Sequence, residues 1–401
     1  MYHHNMIIQK YIQSFHFLFS SRRVSSIRLA IVFLMLLGWA YVYMDLRKAW
    51  TCEKPNPHNM NKPESIVQPV RPGGLKITAV VFYGRRAPSS LLECYLRRNL
   101  VSNGGWLDEV IWAINTMDLR DQEYMYDLVL TSDSYRRLDI NEGGYNDIWQ
   151  TAFTQNDTMY IKIDDDVIYI DDSAISRIVE TKLQRPDSLI VSANIINSPA
   201  LGWLHYHVGA VQAYLPELNP PDPGALSTRE NRLWRSSSLP TWEGPQNWKS
   251  PNVTVFNAIF NNPQKLGGNA SSPIPKHRWL PLLNPLDISR TPISQSEYHA
   301  WGNNFKSWAI CAQEHYSFLE SLEAGRLDRY FMVHGFDSTA NSIWDMTGTR
   351  VSINFLAIWG EDAIKYMTLI ETGLSDETQL ALHLPAILDR RKFCFSILCL
   401  C

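Results

Sequence analysis

The sequence predicts an α/β domain with a mostly parallel sheet flanked by helices, held behind an N-terminal transmembrane helix. Three observations carry this. KITAVVFY (76–83), EVIWAI (109–114) and MYIKI (159–163) are short, nearly continuous apolar runs, the pattern of parallel strands buried on both faces. Helical periodicity fills intervals between them, so strand and helix alternate as in βαβ units. Ile27 to Met44 is a run of eighteen residues with one charge near its start. At about 1.5 Å per residue it nearly crosses a bilayer core of about 30 Å.

In chain order, residues 1–26 form a cytosolic tail, 27–44 the membrane anchor, 45–75 a stem and 76–401 the folded domain. A cleaved signal peptide is the rival reading of 27–44, but the run is long for one, begins late and lacks a small-residue cleavage pattern. Lys10, Arg22, Arg23 and Arg28 precede the run while Arg47 and Lys48 follow it, a modest positive-inside bias toward a cytosolic N-terminus. Three glycosylation triplets, at Asn156, Asn252 and Asn269, all lie C-terminal to the anchor and suit a lumenal domain, although Asn156 lies close to a core strand and is not expected to be used. Pro55, Pro57, Pro63, Pro69 and Pro72 keep the stem extended.

Within the domain, Leu91, Leu92, Tyr95, Leu96 and Leu100 mark a helix over about 88–102, and 119–130 a second one. Asp171, Asp172 and Ser173 suit the cap of a third, with Ile175, Ile178, Val179 and Leu183 on one face. SLIVSANII (188–196) is a further strand. Between Pro216 and Pro292 lie thirteen of the 22 prolines, which predicts long ordered loops. Regular patterning returns at Trp308–Leu322 and Val351–Trp359. A formal net charge of −3 supplies no field to attract nucleic acid, and none is expected as a partner. The six cysteines show neither metal-ligand spacing nor a dense disulfide framework.

The chemistry centres on Asp164-Asp165-Asp166, directly after a strand, where the carboxyl ends of parallel strands form a ligand crevice. Adjacent carboxylates repel one another, and hard oxygen ligands of this kind suit Mg²⁺ or Mn²⁺, with substrate phosphates filling the remaining positions. His205 and His207 would share one face of a strand and could both reach a metal, but a hydrogen-bonded structural pair is the preferred reading.

The run KITAVVFYGRR, helix, EVIWAIN, then YIKIDDDV resembles the nucleotide-sugar half of GT-A glycosyltransferases, a Rossmann-like fold with a DxD motif, over residues 76–210. SANIINSPALGWLHYHVGA and WAICAQEHYSFLE further resemble membrane-anchored fungal glycosyltransferase-like proteins. The resemblance implies transfer of a sugar from a nucleotide-sugar donor to a glycan or glycoprotein acceptor in the Golgi or endoplasmic reticulum, with 211–401 as the acceptor half. It implies that Asp164 and Asp166 serve the metal, that Asp164 and Asp165 meet the nucleotide sugar, and that Phe82, Tyr83, Gly84, Arg85 and Arg86 form the loop beneath the nucleotide. Trp359-Gly360-Glu361-Asp362 is similar to the acceptor-contacting segment of β-1,4-galactosyltransferases, which makes Asp362 the candidate base, with Glu361 beside it. Separately, Glu314, in a helical stretch one residue from His315, is a competing acidic site ranked below them. The family's C-terminal metal-ligating His has no counterpart after His383, so the third ligand is not identified. Two other functions share these features: a metal-dependent phosphosugar transferase, and an inactive carbohydrate-binding membrane protein using the Trp-rich middle segment.

Overall fold

Strand β1 (Lys76–Tyr83) is the sheet's reference strand, and helix α1 (Arg86–Arg98) leads from its end to the parallel strand β2 (Glu109–Ile114). The computed structural model describes residues 70–140, 144–218, 235–250, 278–298, 307–330, 343–367 and 374–400, all within one unit spanning Gln68–Cys401. The expected tail, anchor and most of the stem lie outside the described residues, as do Asn252 and Asn269. Among the described residues no helix is long and apolar enough to cross a membrane.

Helix α2 (Leu119–Val129), capped by the Asp118 side chain, leads to strand β3 (Tyr135–Asp139), also parallel. Helix α3 (Tyr145–Ala152) then returns the chain to the other side of β1, where β4 (Thr158–Asp164) pairs in parallel with Phe82 opposite Asp164. After β4 come β5 (Tyr169–Ile170), helix α4 (Ala174–Gln184), β6 (Ser188–Ile196) and helix α5 (Pro199–His207). A two-stranded sheet of β7 (Tyr214–Pro216) and β8 (Trp279–Pro281) lies in the proline-rich section. Leu239, Trp242 and Leu282 pack around it, so its described residues are ordered by packing rather than by repeated α/β units. Helix α6 (Trp308–Glu323), β9 (Ile343–Asp345), β10 (Phe355–Trp359) and α7 (Gly360–Tyr366) follow. A helical stretch opens at Asp376–Thr378, passes through a π turn and ends at Leu384–Leu388, before β11 (Arg391–Leu400).

The main sheet runs β3-β2-β1-β4-β10-β6-β11-β5, with β9 also on β11. Six of these strands, β1, β2, β3, β4, β6 and β11, point the same way, and β10 runs against both β4 and β6. The fold is therefore a mostly parallel, Rossmann-like α/β sheet, as the apolar runs predict. Both faces are covered. Ile77, Ala79, Val81 and Tyr83 pack with Leu92 and Leu96 of α1, while Val80 and Phe82 pack with Trp149 and Phe153 of α3 and its end. Alternation along β1 sends successive side chains to opposite cores, which is why the run is apolar throughout. Each large side chain so buried contributes about 1.5–3 kcal/mol.

Candidate active site: a carboxylate-rich cleft at the sheet's switch point

From β1 the chain winds outward to β2 and β3, then crosses back to β4, so the loops after β1 and β4 diverge. Such a switch point opens a crevice at the carboxyl ends of the strands. Here it is a cleft of about 290 Å³. Phe82 and Arg85 line it from β1 and the following loop, and Tyr145 lines it from the start of α3. Lys162 and the three aspartates come from β4, Ile353 and Asn354 from the approach to β10, and Asp376 and Glu377 from the late helical stretch.

Lys162 and Asp164 stand two residues apart on β4 and so share a face, where they form an ion pair. The Lys162 ammonium also donates to the Ile353 carbonyl at 3.0 Å and sits 4.9 Å from the centre of the Phe82 ring. Burial pushes the Asp164 carboxyl up to about 6; neighbouring Asp166 and Asp376 add to the rise and Lys162 opposes it. Asp165 points back into the protein, accepting from the Gly84 backbone N–H at 3.0 Å and from Arg85 at 2.6 Å. It ties the two loops of the switch point together. Asp166 faces Arg85 at 3.2 Å and the Asn354 amide at 3.4 Å. Hydrogen bonds to Asp165, with both aspartates close, hold the Arg85 guanidinium more firmly protonated than usual. Tyr145 is largely exposed and its ring lies nearly parallel to Phe82, 12° apart, with centroids at 6.4 Å. Trp149 meets Phe82 edge-on and donates from its indole to Asp376 at 3.2 Å.

The fold brings together Phe82, Arg85, Asp164, Asp165 and Asp166. Tyr83 and Arg86, expected beneath a nucleotide, do not line the cleft. Tyr83 belongs to the opposite core, where its hydroxyl donates to the Asp121 carbonyl at 2.8 Å, and the Arg86 backbone N–H is held by the Asp121 side chain.

Glu361 and Asp362 lie at the other end of the sheet. Because β10 is antiparallel, Phe355 pairs with Ile163 beside the triplet while Trp359 pairs with Met159 at the start of β4. The residues after Trp359 are thus carried about a strand length from the cleft, on the order of 15–20 Å. There the Glu361 N–H donates to the Asn156 carbonyl at 3.0 Å, and buried Asp362 is ion-paired with Arg390. The structure therefore does not bring Glu361 or Asp362, the expected acceptor base, into the cleft. Glu314 is fully buried on α6, where its carboxylate meets His205 at 2.7 Å; the second ring nitrogen of His205 meets Asn194 at 2.7 Å. Glu314 therefore joins α5, α6 and β6, and is not a cleft residue. The two histidines lie on helix α5 rather than a strand. His205 is buried in that bridge, while the His207 ring packs against Trp203. Asn156, by contrast, is exposed in the turn before β4.

Lys162, Tyr145, Asn354, Asp376 and Glu377 were not singled out from sequence. A lysine two residues before the triplet inside a buried strand is a readable signal, because only a partnered charge is tolerated there. Asp376 and Glu377 open a helical stretch, where acidic residues are ordinary, and carry no such mark.

Asp164 and Asp166 offer oxygen donors of the type Mg²⁺ and Mn²⁺ take, and Mg²⁺ is commonly held by one or two carboxylates plus substrate phosphates. Among the described residues no group of three or more His, Cys, Asp or Glu forms a ready ligand set.

No family model and no curated protein matches the sequence. Among solved structures, the chain is similar over 30% of its length to 4-diphosphocytidyl-2C-methyl-D-erythritol synthase from Anaerococcus prevotii, at 12% identity and TM-score 0.25, covering 55% of that chain. Over the same share it is similar to residues 1–349 of TarS from S. aureus, at 13% identity and TM-score 0.24, covering 36% of that chain. It is similar, too, to Rv0371c from Mycobacterium tuberculosis, at 12% identity and TM-score 0.23, covering 66% of that chain. The chain thus spans about half the length of the first of these structures.

Proposed function

We propose that this chain is a GT-A-type glycosyltransferase that binds a nucleotide sugar in the switch-point cleft with a divalent cation and passes the sugar to a glycan or glycoprotein. The observation that supports this most directly is the placement of the aspartate triplet at the mouth of the crevice, facing an arginine and an aromatic wall. Five carboxylates of the cleft (Asp164, Asp165, Asp166, Asp376 and Glu377) face three cations (Lys162, Arg85 and Arg350). One divalent cation would cancel the remaining formal charge.

Asp164 and Asp166 would hold the ion, which when bound neutralises charge developing on the departing nucleoside diphosphate. Arg85, whose side chain is 60% exposed, is free to turn its outer face to the diphosphate while Asp165 fixes its position. Tyr145, largely exposed and backed by Phe82, offers a flat surface to the nucleobase. The binding test is calorimetric titration of the full chain in detergent with nucleoside diphosphates, with and without Mn²⁺. Mn²⁺-dependent binding that Asp166→Ala abolishes is expected. Equal affinity in the variant would remove Asp166 from the cation's shell, and absence of nucleotide binding would remove the transferase reading. Release of free nucleoside diphosphate across a donor panel then identifies the sugar.

We also propose a type II orientation in the Golgi or endoplasmic reticulum, supported by the apolar run 27–44 and the acceptor triplets beyond it. Glycosidase digestion should shift the full-length protein on a gel. Protease cleavage of the domain in sealed microsomes, with no glycan present, would reverse the orientation.

A further inference from the structure

A second cavity, of about 520 Å³, lies between α1 and the turn that follows the aspartate triplet. Leu91, Cys94, Tyr95 and Arg98 form one wall; their spacing puts them on one face of α1. Ile168 to Asp172 form the other. Tyr95 and Tyr169 meet at 69° with ring centroids 5.7 Å apart, giving two flat faces set nearly at right angles. Phe318 of α6 braces the Tyr169 ring edge-on at 5.1 Å. Arg98 lies 5.0 Å from the Tyr95 centroid and pairs with the exposed Asp172 at 2.9 Å. Asp171 is committed to the local turn, accepting from the Ser173 N–H at 2.9 Å and its hydroxyl at 2.7 Å.

We propose that this cavity binds a neutral glycan, the sugar chain of the acceptor, beside the nucleotide cleft; this rests on the transferase reading above. A pyranose has an apolar C–H face and a rim of hydroxyls, which calls for a flat aromatic wall with polar groups at its edge. The two tyrosines supply the wall, and Arg98 and Asp172 supply donors and acceptors at the rim. Because those two charges cancel and Asp171 is spent on the turn, the cavity has no surplus cation to hold a phosphate, sulfate or uronate. Burial pushes the Tyr95 phenol above its ordinary value, and at neutral pH the phenol is a donor. The size falls within the roughly 300–1,000 Å³ typical of small-ligand sites. Tyr169 follows Asp166 by three positions, so the wall and the triplet are joined by no more than about 11 Å of backbone. An acceptor glycan seated here would follow this turn toward the triplet.

Cys94, exposed on the wall, reports occupancy. The full chain in detergent is alkylated with N-ethylmaleimide in the presence of neutral tetrasaccharides (cello-, chito- and manno-series), and the Cys94 peptide is followed by mass spectrometry. At least one neutral series should slow Cys94 alkylation about tenfold at roughly ten times its Kd. Tyr169→Ala and Arg98→Ala should abolish that protection and Tyr169→Phe should keep it, all three retaining Mn²⁺-dependent nucleotide binding. Protection by sulfated saccharides or an apolar peptide alone, protection by none, or protection that survives Tyr169→Ala would overturn the proposal. Nucleotide binding without glycan protection sinks this site alone, whereas protection without nucleotide binding sinks the transferase reading and leaves a glycan-binding protein.

Discussion

Asp362 has one carboxylate oxygen on Arg390, and its other oxygen is buried with no hydrogen-bond partner. Lys182 is close enough to feel its charge and donates to the Ser188 carbonyl at 2.7 Å, a carbonyl Arg390 also reaches. Breaking a buried pair strands a charge, so Asp362→Ala should lower unfolding free energy by on the order of 3 kcal/mol, read by urea titration. Nucleotide affinity should stay unchanged, because the residue lies at the wrong end of the sheet; a loss of affinity with stability intact would return Asp362 to the site. Burial pushes the Lys182 ammonium down from 10.5 to about 8. The folded state therefore gives up this proton before the unfolded chain does, and the residue's contribution to stability rises between about pH 8 and pH 10.5. Relative to wild type, Lys182→Met should look worse at pH 10 than at pH 7, by on the order of 2 kcal/mol. A constant difference across that window would show that the lysine is not buried as described.

The strands easiest to read, β1, β2, β4 and β6, are those covered on both faces, where every position must be apolar. Tyr135–Asp139 is hard to read as a strand because it is an edge strand with two arginines, and Arg391–Leu400 because it opens on two charges, although Lys392 is buried. The helix 145–152 is only eight residues long, too short for its buried face of Ile148, Trp149 and Ala152 to stand out in the sequence. Asp164 to Asp166 were legible because their chemistry follows from residue type and position after a strand. The misplacement of Glu361 and Asp362 has a different origin: a strand's direction leaves no mark in its own residues, and β10 looks locally like its parallel neighbours. Its reversal also fixes Gly360, where a Cβ would come 1.8 Å from the Gln155 carbonyl oxygen. Gly360→Ala must therefore push the α7 start away from the turn before β4. A loss of about 1–3 kcal/mol is expected by chemical denaturation, with an unaltered nucleotide cleft. A neutral effect would mean that this approach is looser than described.

At the scale of the whole molecule, the cleft draws on four well-separated stretches of sequence: the β1 loop, the α3 start with β4, the approach to β10, and Asp376 with Glu377. Only the first two lie in the half where motif reading is informative, which is why the triplet was found and its far wall was not. Arg350 and Glu377 pair at 2.6 Å across that far wall, and Arg350→Ala should weaken Mn²⁺-dependent nucleotide binding by leaving Glu377 without its partner. Unchanged affinity would place the far wall outside the nucleotide's reach. The last strand has a consequence for synthesis. β11 runs alongside β6, and the Cys394 thiol meets the Ala193 carbonyl across 201 positions of sequence. While residues 391–400 are still inside the ribosome, β6 has an open edge and the hydrophobic seam beside it stands uncovered. The nascent domain must then be shielded from pairing with neighbours until residues 391–400 emerge, and such late, long-range closure is slow.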